Sequence, residues 1–394
     1  MTKLCFLSFI MTKSIIMKVF YGTLMKKLKI LHLTTHLNIG GITSYLFLLS
    51  KALVKEGHSV TVLASGGELC EDFRRAGIGV ALFPIRTKNA AHPKLFLALP
   101  RIVQWVKKEH FDCLHAHTRV TQVLALVISQ STGLPVVTTA HGFFKPRLGR
   151  RLIGAWGDRV IAISPLVAKD LEKSHIVTVK KIRKVVNAVD SHDIEKRLAA
   201  VSSAEARKEL RIPQNAVVIA SVSRLVEDKG HAYLVDAVSQ LAAMYPDLFL
   251  FIVGDGRQKE VLEEKIRAAG LKDKARIVPS TKDTTNIYAA IDIFVHPATH
   301  REGFGLAMAE AMIAAKPVVV TDIPATNSLV FDGKNGFVVP PKDAAALAKK
   351  IHFILENPVI ARTVAEAGKA WAKETASLDR FTRETVAVYR ELVK

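Results

Sequence analysis

The sequence predicts an α/β protein built from two doubly wound, Rossmann-like parallel-sheet domains that face each other across a cleft. Three observations carry this expectation. The chain has 394 residues, a length suited to two domains that each bury a core. Short Val/Ile-rich runs alternate with helix-length segments throughout, the pattern of parallel strands covered on both faces. That rhythm stops in a polar, helical stretch around 190–213 and then restarts.

In the first half, "LKILHLTT" is a strand, followed by a helix near Thr43–Glu56 and the strand "SVTVLAS". "FDCLHAH", "PVVTTAHG" and "RVIAISP" follow as strands, with helices between them. The second half opens with "AVVIASVSRL" and a helix from Ala232, then "LFLFIVGDG" and a helix from Gln258. "ARIVPS", "IDIFVHPA", a further helix and "KPVVVTD" complete it. The stretch from about Ala365 to Lys394 is helical and strand-free. The expected domains are 25–200 and 201–375, with 376–394 a C-terminal helix. In open α/β sheets, ligands bind beyond the carboxyl ends of the strands. Residues just after each strand are therefore the place to look for chemistry.

Composition narrows the class. Hydrophobic residues make up 49% and charged residues 23%, which is globular and excludes extended disorder. The three cysteines have neither metal nor redox spacing, so a reducing, intracellular setting without disulfides is expected. No apolar run is long enough to span a bilayer. Residues 1–24 mix short apolar pieces with Lys3, Lys13 and Lys18 and lack signal-peptide order. They read as an extension before a natural start at Met25, or alternatively as an interfacial membrane anchor.

The formal net charge is +20, and it is one-sided. Residues 1–200 hold 30 Lys/Arg against 12 Asp/Glu, whereas residues 201–394 hold 26 against 24. A first half this basic points to an anionic partner, such as acidic phospholipid or a phosphorylated acceptor. Lys145, Arg147, Arg150 and Arg151 concentrate that charge in one loop, a candidate acceptor or membrane patch. Nucleic acid is not expected, because aromatic residues are 7% and no groove-reading motif occurs.

Several strand ends carry candidate groups. Gly40 and Gly41 open a helix, where close backbone approach and free amides favour an anion. The same turn also reads as an ordinary strand-to-helix connection. His141 follows "TTA" and can donate a hydrogen bond to a sugar hydroxyl or a developing charge. His115 and His117 share one strand face, and core packing is the better reading there than metal binding. Arg224 and Lys229 flank a turn and suit a diphosphate. Finally, "HREGFGLAMAEAM" puts Glu302 in a loop and Glu310 inside a helix. The amides of Gly303, Phe304, Gly305 and Leu306 form that helix's N-terminus, suited to phosphate. The carboxylates suit vicinal hydroxyls. Together they outline a nucleotide-sugar.

As a set, these motifs resemble the retaining glycosyltransferases of family 4, which have the GT-B fold. The likeness runs over roughly residues 25–394 and rests on the glycines after the first strand, "TTAHG", "SRLVEDKG", "VGDG" and "EGFGLAMAE". "VVNAVD" and "DGKNGFVVPPKD" also look like segments of that family. The resemblance implies a first domain that binds the acceptor and a second that binds a nucleotide-diphosphate sugar. It implies that Glu310 holds the ribose and Glu302 faces the donor sugar. Arg224 and Lys229 match the diphosphate pair, Gly41 the glycine beside the phosphates, and His141 the histidine near the transferred sugar. It also implies a last helix that crosses back onto the first domain. No metal and no cofactor beyond the donor is implied, in line with the absence of Asp-x-Asp. The expected acceptor is a glycan or glycolipid of the cell envelope, in the lipopolysaccharide class, reached from the cytoplasmic face of the membrane. An epimerase or phosphorylase of the same fold is the alternative. The chain departs from the family at Pro324 and Ala325, where two glycines are common, at Ser328, where glutamate is usual, and at Thr43, where many members have glutamate. These positions bear on the donor sugar.

Overall fold

The protein's structure, a computed structural model, describes residues 26–87, 89–90, 92–144, 154–300, 302–324, 326 and 329–393. Residues 1–24, the basic loop of Lys145, Arg147, Arg150 and Arg151, and Ala325 and Ser328 lie outside the described residues. Among the described residues, no helix is long and apolar enough to cross a membrane.

Two all-parallel sheets organise the chain. The first holds β1 (Lys29–Leu33), β2 (Ser59–Ala64), β3 (Gly79–Leu82), β4 (Cys113–Ala116), β5 (Val136–Ala140), β6 (Arg159–Ala162) and β7 (Ile182–Lys184), in the order β3-β2-β1-β4-β5-β6-β7. The second holds β8 (Val217–Val222), β9 (Leu248–Val253), β10 (Ala275–Val278), β11 (Ile293–His296), β12 (Val318–Thr321) and β13 (Phe337–Val339), in the order β10-β9-β8-β11-β12-β13. Helices cover both faces, so central strands are buried throughout: every residue of β5, β9 and β12 is buried.

The strands that the sequence reading did not single out are β3, β7 and β13, and all three are sheet edges. β3 is only partly covered, and β7 is the short and basic "IRK". Such edges need no long apolar run, and β13 is a run of only three residues, so hydrophobic patterning marks them weakly. Two helices begin earlier than expected, at Gly41 and His231 rather than Thr43 and Ala232. Each is preceded by a glycine N-cap without a side-chain cap, which leaves no Ser, Thr or Asp signal to read.

The connection between the sheets consists of helices Ser191–Ala199 and Ser203–Glu209. The second is fixed by a capping box, with Ser202 and Glu205 each accepting from the other's backbone amide. Beyond β13, the chain forms helices Ala344–Glu356, Pro358–Thr375 and Leu378–Arg390. The last returns to the first sheet. Val189 bridges to Ser377, the Tyr389 hydroxyl lies 2.7 Å from His115 Nδ1, and Glu391 pairs with Arg159 and Arg183 at 2.6 Å.

Both sheets reverse strand order at one point, between β1 and β4 and between β8 and β11. Such switch points open a crevice at the carboxyl ends of the strands. The loops after β1, β4, β8 and β11 are those that carry Gly40, His117, Arg224 and Glu302.

Candidate active site

On the second unit, two loops are locked together. The turn after β8 runs through Arg224 to Lys229 and ends at Gly230, whose φ of 69° is left-handed. A Cβ on Gly230 would stand 1.9 Å from the Pro297 carbonyl oxygen, so only glycine fits. Thr299 N donates to Asp228 O at 2.9 Å, tying the loop after β11 to the same turn. This contact brings Lys229 onto Glu302: Nζ donates to Oε2, and both side chains are only 15% exposed. The Gly303 amide donates to Glu302 Oε1 at 3.0 Å, and His296 Nε2 stands 3.3 Å from Oε2. Burial acts to raise the Glu302 pKa, but His296 and the Lys229 charge outweigh it and hold the carboxyl well below its ordinary range. Glu302 is therefore a carboxylate at neutral pH and cannot act as a proton donor.

Arg224 is exposed and has no acidic partner among the described residues. The backbone holds it in place, since Ser223 N donates to Val253 O at 3.0 Å and Leu225 N to Asp255 O at 2.9 Å. The "VGDG" turn therefore sets the Arg224 position. Lys229 differs from the sequence expectation of a free cation, because it is already paired in this state.

Helix Leu306–Ile313 starts after Gly305, with no side-chain cap on its first turn. Its leading amides are free for an anion. Phe304 is 3% exposed and packs in the core, so only its backbone faces the loop. Glu310 lies on this helix. Its Oε2 accepts from Tyr288 Oη at 2.9 Å and Thr284 Oγ1 at 3.2 Å. Burial raises its pKa. Those bonds fix the carboxyl orientation through one oxygen and leave Oε1 as an acceptor. Tyr288 and Thr284 escaped the sequence reading because they come from a separate short helix and its cap.

On the first unit, Gly40 and Gly41 are exposed, and added Cβ atoms would meet nothing within 4 Å. Helix Gly41–Lys55 begins there without a side-chain cap. His141 follows β5, and its ring stands edge-on to Tyr45 at 4.7 Å. Burial lowers its pKa to about 3, so the ring is neutral. Gly303 closes the distance between the units: a Cβ there would lie 2.9 Å from the His141 carbonyl oxygen. Glu302 and His141 thus flank one crevice. An exposed ion pair, Lys282 to Asp72 at 2.9 Å, also links the units.

Beneath His141 lies a buried histidine cluster. His32 on β1 is the register partner of His115 on β4. His32 was not singled out from the sequence, because it lies inside β1 and not beyond its end. His296, the last residue of β11, was also not singled out. Nitrogens of His32, His115 and His117 lie within 4.8 Å of one another, a ligand set that suits a metal by type and number. Among the described residues, every ring nitrogen of the three except His32 Nε2 already has a partner. His115 contacts Tyr389 Oη and Thr139 Oγ1, both at 2.7 Å. His32 Nδ1 meets His117 Nε2 at 2.9 Å.

Comparisons with known proteins match both halves of the chain. The model for glycosyltransferase family 4 matches residues 39–193, and that for glycosyl transferases group 1 matches residues 202–371. A UDP-Gal:alpha-D-GlcNAc-diphosphoundecaprenol alpha-1,3-galactosyltransferase of Escherichia coli is 25% identical, covering 85% of this chain and 89% of its own. A phosphatidyl-myo-inositol mannosyltransferase of Mycolicibacterium smegmatis is 27% identical over 81% and 82%. The crystal structure of an Anabaena protein in complex with UDP-glucose superposes with a TM-score of 0.80 at 23% identity, covering 93% of this chain and all 100% of the other, a likeness of fold.

Proposed function

The chain belongs to the group 1 glycosyltransferases of family 4, and from that premise we propose that it is a retaining, metal-independent enzyme using a nucleotide-diphosphate sugar. The observation that carries this reading is the meeting of Lys229, Glu302 and an uncapped helix start across from His141. Such a crevice suits an elongated ligand that is anionic in the middle and hydroxyl-rich at both ends.

In this reading, the first unit receives the acceptor and the second the donor. The free amides of Leu306–Ile313, Arg224 and Lys229 hold the diphosphate, with Gly40 and Gly41 allowing close backbone approach. Glu310 Oε1 accepts from the ribose. Glu302 accepts from the donor sugar, and His141 faces the same sugar. As the bond from the anomeric carbon to the phosphate oxygen breaks, charge builds on the leaving phosphate. Arg224 and Lys229 stabilise it. The acceptor oxygen bonds to the anomeric carbon from the same face, and its proton passes to the departing phosphate. No protein nucleophile is needed. Glu302, being ionised, steadies the cationic character of the sugar in the transition state.

The acceptor proposed is a glycolipid at the inner face of the membrane. The basic first half supports it, as do the lipid-linked acceptors in the names of the E. coli and mycobacterial relatives. Replacing Arg147, Arg150 and Arg151 with glutamine is expected to weaken binding to anionic vesicles. The direct test is a thermal-shift panel of nucleoside diphosphate sugars, uridine donors first, then product analysis with and without EDTA. Stabilisation by one donor and transfer unaffected by EDTA are expected. Conversion of the nucleotide-sugar to its epimer without an acceptor, or turnover only with inorganic phosphate, would replace this reading with an epimerase or phosphorylase.

A further inference from the structure

The His141 ring does not stand alone. Its Nε2 lies 3.2 Å from His117 Nδ1, and His117 Nε2 lies 2.9 Å from His32 Nδ1. The far nitrogen, His32 Nε2, is buried without a partner among the described residues. His32 and His117 are 0% and 3% exposed. The backbone holds the chain of rings taut: His117 N donates to Leu33 O at 3.0 Å, and β1 pairs with β4.

A neutral imidazole has one N–H and one bare nitrogen. Burial depresses the pKa of all three rings, so each carries a single proton. Only two arrangements satisfy both contacts. In one, His141 Nε2–H donates to His117, His117 Nε2–H donates to His32, and the orphaned His32 Nε2 is an N–H. In the other, the direction reverses and the orphan is a bare lone pair. A buried N–H without an acceptor is the rarer and costlier defect, whereas an under-used acceptor is better tolerated.

We propose that His32 and His117 are positioning residues that fix the tautomer of His141, so that its only proton sits on Nδ1. His32 Nδ1–H donates to His117 Nε2, and His117 Nδ1–H donates to His141 Nε2. His141 Nδ1 has no partner among the described residues. His141 is then a hydrogen-bond donor toward the crevice and not a base. It complements Glu302, which can only accept. This rests on the reading of the crevice as a donor-sugar site, where one face supplies a neutral donor and the other an anionic acceptor to neighbouring hydroxyls.

The test is nitrogen-15 NMR of histidine-labelled full-length protein at neutral pH, with His141 assigned by loss of its signals in His141→Gln. The expected result is a protonated Nδ1 and a bare Nε2 on His141. His117→Asn keeps an N–H near the Nδ1 position and should preserve this tautomer. His117→Leu should shift His141 toward the Nε2–H form. With the best nucleotide-sugar, His117→Leu should lower kcat/KM about 10-fold, with nucleoside diphosphate affinity unchanged, and His117→Asn should restore it. An Nε2–H tautomer or an imidazolium at His141 in the unmodified protein would overturn the proposal. So would a stoichiometric metal ion whose removal moves the signals of His32 and His117. The predicted tautomer in a protein that transfers no sugar would uphold the proton chain while rejecting the glycosyl-transfer reading, so the two fail separately.

Discussion

The two walls of the crevice solve opposite electrostatic problems. The first unit presents histidines that burial keeps neutral, with His141 and His32 lowered to about 3 and His115 and His117 well below their ordinary value. The second presents charge: an exposed Arg224 and a Lys229–Glu302 pair that holds the carboxyl ionised. Both sit at equivalent switch points of parallel sheets, so topology alone does not choose between them. The residues that follow the strands do. A neutral wall can touch a sugar without attracting stray ions, while a charged wall is where a leaving diphosphate needs stabilising.

The largest way to break this contrast is Lys229→Met. It removes a cation proposed for the diphosphate and should lower kcat by roughly 10²- to 10³-fold. It also leaves Glu302 unpaired in a mostly buried place, at a cost of about 3–5 kcal/mol by chemical denaturation. Adding Glu302→Gln should recover most of that stability and none of the activity. Recovery of both would mean the pair serves only the fold.

Acid should affect the neutral wall first. The unfolded histidines bind protons near 6.5, while burial holds folded His32 and His141 down to about 3 and lowers His115 and His117 well below their ordinary value. The folded state thus binds fewer protons in that window. Stability is complete above about 6.5 and falls as pH drops, by about 1.4 kcal/mol per pH unit for each such histidine. The Glu302 contribution has the same sign but begins only in the ordinary carboxylate range, so melting temperatures between pH 6.5 and 5 report chiefly the buried histidines, His231 of the second unit among them. A flat profile there would show that the rings are not held neutral.

Glu310→Gln sharpens the charged wall. It removes the negative charge from the oxygen pair that Tyr288 and Thr284 orient. Nucleoside diphosphate affinity should fall about 10-fold by calorimetry, the size of one hydrogen bond to a charged group. Unchanged affinity would remove Glu310 from the donor site. The smallest effect belongs to Tyr389→Phe, which strips His115 of one partner at 2.7 Å. A loss of about 1–2 kcal/mol is expected, with transfer intact.

Much of this contrast was legible in the sequence, and the reasons are specific. Strand-end position pointed to His141, Arg224, Lys229 and Glu302 because parallel strands announce their ends by continuous apolar runs, while Glu310 stood out as a carboxylate inside an apolar helix. Pairings between distant loops did not announce themselves. Lys229 meets Glu302 because Thr299 N bonds Asp228 O and Gly230 lets the two loops close, contacts between segments far apart in the chain. His32 joins the histidine cluster through strand register between β1 and β4, which no local pattern encodes. The edge strands β3 and β7 stayed silent because they are half-exposed or basic, and β13 because it is only three residues long.

The most direct measurement is proton NMR of the first-formed product with the best nucleotide-sugar, following transfer to acceptor or, in its absence, to water. The proposed same-face attack, with a stabilised leaving phosphate and no protein nucleophile, predicts that an α-linked donor gives an α-configured product. A β-configured first product would contradict it.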